Sequence, residues 1–178
     1  MENSKLYILI KIGPEKKDVK SYFDLSRAEL IIAGKDIKCH KYNEYNSITY
    51  NCTTCEIKNL YYGPFTKGIF STEDFYIKND RNEINIAHNM KFILGVKSNE
   101  NDGEYEGIVG MHLPYYDSYQ EYNLIVSLKN ENVIKSYNWF LNFGNEPKMI
   151  IDGYPHEIKN KIFDSKKFLH TNTLSNGN

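Results

Sequence analysis

Three cysteines, Cys39, Cys52 and Cys55, fall close together and are the first residues whose type and spacing suggest chemistry. Cys52-x-x-Cys55, with Cys39 and His40 upstream, could supply thiolate and imidazole ligands to zinc. Adjacent Cys39 and His40 cannot easily both point at one metal, so no metal site is assigned. Three is an odd number, so any disulfide leaves one thiol over. The expected arrangement joins Cys39 to Cys52 or Cys55; reduced structural thiols and a zinc-stabilised structural module are the alternatives. The histidines form no constellation in the sequence. Pro155-His156-Glu157 reads as a turn histidine after a strand, and His88, His112 and His170 stand apart. Asn51-Cys52-Thr53 is an N-glycosylation sequon, which matters only on a secretory route.

The elements that must carry these residues read mostly as strands. At 178 residues the chain can bury a core without staples. Fifteen Tyr and nine Phe suit pleated sheets, although a compositionally biased genome would also supply them. Leu6, Ile8, Ile10 and Ile12 alternate with Tyr7, Leu9 and Lys11 until Gly13-Pro14, and a polar turn leads back through Val19–Phe23. Ala28–Ala33 is a further apolar run. Residues 35–55 read as a polar surface loop, and Glu56–Tyr62 and Gly68–Ile77 as a hairpin about Gly63-Pro64. Glu83–Ala87, Met90–Val96, Gly107–Met111, Trp139–Phe143 and Lys148–Ile151 are further strands. Asn123–Asn130 carries Leu124, Ile125 and Leu128 on one stripe, the pattern of a helix. The expectation is a mainly-β domain over residues 1–168, with one or two short helices and a flexible tail at 169–178.

Charge and hydropathy exclude several partners. A net charge of -1 leaves no electrostatic footprint for nucleic acid. No apolar run approaches the roughly 18 residues of a membrane span, and the N-terminal segment lacks the apolar region and cleavage site of a signal peptide. No cofactor is expected.

Four segments, in order, resemble the N-terminal lobe of the pepsin-like aspartic proteases, and together they cover nearly the whole chain. Tyr7–Gly13 and then Phe23-Asp24-Leu25-Ser26-Arg27-Ala28-Glu29-Leu30 are similar to the family's opening strand and its Phe-Asp-Thr-Gly-Ser-Ser-x-Leu motif. Tyr62-Gly63-Pro64-Phe65, followed by Gly68 and Asp74, resembles the flap hairpin. Tyr105-Glu106-Gly107-Ile108-Val109-Gly110-Met111 is similar to Phe-Asp-Gly-Ile-Leu-Gly-Leu. The helix at Asn123, Val133-Ile134, Trp139–Leu141 and Met149–Gly153 follow the lobe's closing pattern. The resemblance implies a single lobe of the acid protease fold, with Asp24 as the catalytic aspartate. It also implies that Ser26 and the flap residues Tyr62, Gly63 and Phe65 contact the substrate.

The family's chemistry needs two carboxylates sharing one proton, one from each lobe. A single lobe holds half of that pair. Leu25 stands where a threonine hydroxyl would tie the two active-site loops, Ser26 where a glycine would permit a tight turn, and Arg27 places a cation three residues from Asp24. Three readings follow. The leading one is a catalytically impaired lobe, or an isolated N-terminal half, that binds a peptide or protein segment through the old cleft. The second is half of an active endopeptidase, completed by a separate C-terminal lobe or by homodimerisation through paired Asp24 residues. The third is the zinc-stabilised module. Because the family is largely secretory, the chain is expected to be a mature secreted domain behind a new initiator Met; a cytoplasmic protein is the alternative.

Overall fold

The computed structural model describes residues 6–60, 63–78, 84–99, 105–112, 117–142 and 148–152. The expected tail at 169–178, Pro155-His156-Glu157 and Tyr62 lie outside them. The chain divides into two compact units, Met1–Tyr137 and Asn138–Asn178. The protein is mainly β. Its first unit holds β1 (Tyr7–Ile12), β2 (Lys17–Asp24), β3 (Leu30–Ala33), β4 (Asn51–Asn59), β5 (Phe65–Lys78), β6 (Ile84–Ser98), β7 (Gly107–Gly110) and the helix α1 (Leu124–Asn130). In the second unit β8 (Trp139–Asn142) pairs antiparallel with β9 (Lys148–Ile151), Trp139 opposite Ile151.

The strands of the first unit form one seven-stranded sheet in the order β1-β2-β7-β3-β6-β5-β4. The end of β5 also pairs with β1, Ile12 opposite Phe75, so the sheet closes on itself and leaves β4 outside the ring as an edge strand. Alternation explains β1 and β2: Ile10, Ile12, Val19 and Ser21 point inward and are buried, while Tyr7 and Leu9 face out. β3 and β7 are buried along their whole length, which is why they read as continuous apolar or glycine-rich runs rather than alternating ones. Ile31, Ala33, Ile37, Phe65, Ile93, Ile108 and Tyr122 form the core cluster, while Phe75 and Phe92 meet edge-on at 5.7 Å. Each such side chain contributes about 1.5–3 kcal/mol by leaving water.

Three sequence expectations change. Glu83–Ala87 and Met90–Val96 belong to one strand, β6. Its register runs from Phe75↔Ala87 to Glu73↔Met90, so β6 carries one extra residue there. The bulge is closed by Asp74, whose carboxylate accepts from the His88 Nδ1–H (3.0 Å) and the Asn89 amide (3.2 Å), with Asn89 at φ 52°. The strand expected from Glu56 begins at Asn51, inside what read as loop. The disulfide joins Cys52 to Cys55 and not Cys39 to either. Cys39 lies against the core cluster, and its thiol donates to the Tyr105 carbonyl at 2.9 Å.

Candidate functional site

Asp24 ends β2, and residues 25–29 carry the chain to β3. These two strands are consecutive but not paired. β7 lies between them, parallel to β2 and antiparallel to β3, with Asp24 opposite Gly110 and Leu30 opposite Val109. The 24–29 turn therefore wraps the end of β7. The Met111 amide donates to Asp24 O (2.9 Å), His112 N to Arg27 O (2.8 Å) and Gly110 N to Glu29 O (3.0 Å). Gly110 is required by this crossing, because a Cβ there would sit 2.5 Å from the Ala28 carbonyl carbon and 2.6 Å from Glu29 N.

Asn123 fixes the same turn from the side of α1. Its Oδ1 accepts from the Ile125 and Val126 amides, capping the helix. Its Nδ2 donates to the carbonyls of Ala28 (2.8 Å), Gly110 (3.3 Å) and His112 (3.3 Å). One buried amide thus serves the helix start, the 24–29 turn and the end of β7.

The Asp24 carboxylate is turned into its own loop. Oδ1 accepts from the Ser26 amide at 2.8 Å and from Ser26 Oγ at 2.5 Å. Ser26 is exposed and Leu25 is 67% exposed. Arg27, only 8% exposed, reaches across to the Gly63-Pro64 turn. Its Nη1 fills the space a Gly63 side chain would need, and its Nε donates to Glu29 Oε2 at 3.4 Å. Gly63 also has φ +92°, a second reason for glycine there.

Asp24 faces a cavity of about 280 Å³ lined by Leu6, Tyr22, Phe23, Pro64, Tyr105 and Ile108. Tyr22 and Tyr105 meet edge-on with centroids 5.2 Å apart, and Tyr7 continues the row at 6.0 Å from Tyr22. The Lys20 ammonium lies 4.2 Å from the centre of the Tyr7 ring. The cavity thus has an aromatic wall, with Asp24 on its lining.

Of the residues expected at the site, Asp24, Ser26 and Gly63 lie on the two turns that the fold connects through Arg27. Phe65 does not join them. It is 1% exposed and packs on Gly95 in the core, so it cannot clamp a segment from a flap tip. Tyr22, Tyr105 and Ile108 were missed. Period-two alternation along β2 puts Tyr22 on the same face as Asp24, and that signal was in the sequence. Among the described residues no helix is long and apolar enough to cross a membrane. No protein-family model and no curated protein matches the chain.

Proposed function

We propose that this chain is an aspartic-protease-like lobe that does not hydrolyse peptides unaided and that binds an extended peptide or protein segment at the cavity lined by Asp24, Tyr22, Pro64 and Tyr105. The observation that carries the reading is the Asp24 turn itself. Segments that resemble two separate family motifs are neighbouring strands, Asp24 opposite Gly110, beside an aromatic-walled cavity. The carboxylate in that turn is engaged by Ser26, and acid–base hydrolysis by this route needs a second carboxylate within hydrogen-bond reach. The reading carries with it a secretory or extracellular setting, in keeping with a disulfide.

A second reading is favoured by Leu25, a large apolar side chain left in water next to Asp24. In that reading another lobe or a second copy covers Leu25 and brings its own aspartate to Asp24. One experiment separates the two: a diverse peptide library at acidic pH, read for both cleavage and retention, with wild type, Asp24→Ala and a pepstatin-type inhibitor. The binding reading expects retained peptides without cleavage, and loss of retention in Tyr105→Ala. Cleavage that disappears in Asp24→Ala overturns it in favour of a completed catalytic pair. Neither cleavage nor retention removes both.

A further inference from the structure

The disulfide lies in a part of the molecule that the peptide cavity does not use. Along β4, Cys52 pairs with Ser71 and the next paired residue, Ile57, sits opposite Ile69, so β4 carries extra residues between those two points. The Cys52–Cys55 bond closes a ring inside that excursion, with Cα atoms 5.0 Å apart and Cys55 at φ 52°. Every residue from Thr53 to Asn59 is exposed. β4 is also the edge strand of the sheet. The Thr53 hydroxyl bonds Tyr122, which is 4% exposed and packs on Phe70 with ring centroids 4.6 Å apart. A covalent ring in an exposed stretch of an edge strand is accessible to exchange without unfolding the core.

We propose that Cys52–Cys55 is a thiol–disulfide exchange site for an external dithiol, and that its redox state sets how firmly β4 is held on the sheet. The incoming thiolate attacks Sγ of Cys55, the more exposed of the two residues. The Cys52–Cys55 bond breaks, Cys52 leaves as a thiolate and takes a proton from water, and a mixed disulfide joins the dithiol to Cys55. The dithiol's second sulfur, as thiolate, then displaces Cys55, which is protonated in turn. The chain gains two electrons and two protons, and the dithiol ends as a disulfide. Opening the ring frees residues 52–57 from their excursion, and the pairs Asn51↔Thr72 and Cys52↔Ser71 lose the closure that holds them in register.

The test uses the whole chain, with dithiothreitol as the dithiol. Under native conditions iodoacetamide labelling is mapped by mass spectrometry, so that Cys39 is distinguished from the pair, and amide hydrogen exchange is followed in parallel. The expected result is no label on Cys52 or Cys55 before reductant and label on both after it. Exchange over 51–59 and 67–72 then rises about tenfold or more, residues 90–95 stay unchanged, and oxidised dithiothreitol reverses the effect. A Cys52→Ser, Cys55→Ser variant is expected to exchange at the reduced rate whatever the reductant; if it does not fold, the wild-type titration decides alone. Label on either cysteine before reductant, reduction only after denaturation, or reduction with unchanged exchange over 51–59 each overturns the proposal.

Discussion

Glu73 is fully buried on β5, and four donors surround its carboxylate: Tyr42 Oη (2.5 Å), Ser47 Oγ (2.5 Å), Thr49 Oγ1 and the Asp74 amide (2.8 Å). A buried carboxylate is tolerable only with such partners, so the hydroxyls of the 42–49 segment help to hold that polar stretch on the sheet. Tyr42→Phe removes one donor and leaves the carboxylate short, an expected loss of about 1–3 kcal/mol in urea unfolding. Tyr42 also titrates abnormally: burial, and then its hydrogen bond to Glu73, push the phenol far above its ordinary value. A raised folded-state pKa gives stability that is complete below the unfolded value, about 10, and is lost as pH climbs above it. Stability should therefore fall from about pH 10 upward by about 1.4 kcal/mol per pH unit for this one proton. The fall should be shallower in Tyr42→Phe, as read by urea midpoints between pH 8 and 11. Ser21 is the opposite case. Its Oγ is buried on β2 and is the one such side-chain atom without a hydrogen-bond partner among the described residues. Ser21→Ala is expected to be neutral or to stabilise by up to about 1 kcal/mol, and a clear drop in thermal midpoint would mean that the hydroxyl has a partner after all.

Asn123 has two jobs that substitutions can separate. Asp, Ser and Asn cap a helix about equally well, so capping alone predicts little difference among them. Asn123→Asp, however, turns an oxygen toward the carbonyls of Ala28, Gly110 and His112 where an amide donated. The expected order of stability is Asn, then Ser, then Asp, with Asp lower by about 2–4 kcal/mol; equal stability of Ser and Asp would reduce Asn123 to a cap. This division also marks what the sequence could reveal. The capping half is local, and with the Leu124, Ile125 and Leu128 stripe it made the helix legible. The donating half reaches a residue 95 positions away, and no window on the chain contains it. β6 was misread for a related reason: its interruption at His88-Asn89 looks polar in sequence but is a bulge held by Asp74 across the sheet. β4 gave no alternation because both of its faces are in water. Phe65 next to Gly63-Pro64 looked like turn residue and proved to be core. The cysteine pairing depended on Cys39 lying inward, which three cysteines and their spacing do not encode.

At the scale of the molecule, the closed ring of strands and α1 all fall within Met1–Tyr137. A chain ending at Tyr137 is expected to keep a single cooperative thermal transition, monitored by near-ultraviolet circular dichroism. Loss of the near-ultraviolet signal with retained β structure would show that the remaining residues are needed for packing. The mainly-β class, nearly all the strands and the helix were readable beforehand because alternation and turn residues are local signals; the closure of β5 onto β1 was not, since it rests on the two pairs Lys11↔Tyr76 and Ile12↔Phe75 alone. The insertion of β7 between β2 and β3 has a consequence in time. Asp24 is synthesised first, and the strand that completes its surroundings is made roughly 86 residues later, a wait of about 4–17 s at ordinary synthesis rates of 5–20 residues per second. Until then β2 and β3 stand apart with an unfilled slot and unsatisfied edges, a stage at which nascent chains are most exposed to wrong pairing. The cavity beside Asp24 is thus among the last features of this unit to exist, and anything that halts synthesis before Gly110 yields a chain that carries Asp24 without the strand that walls it.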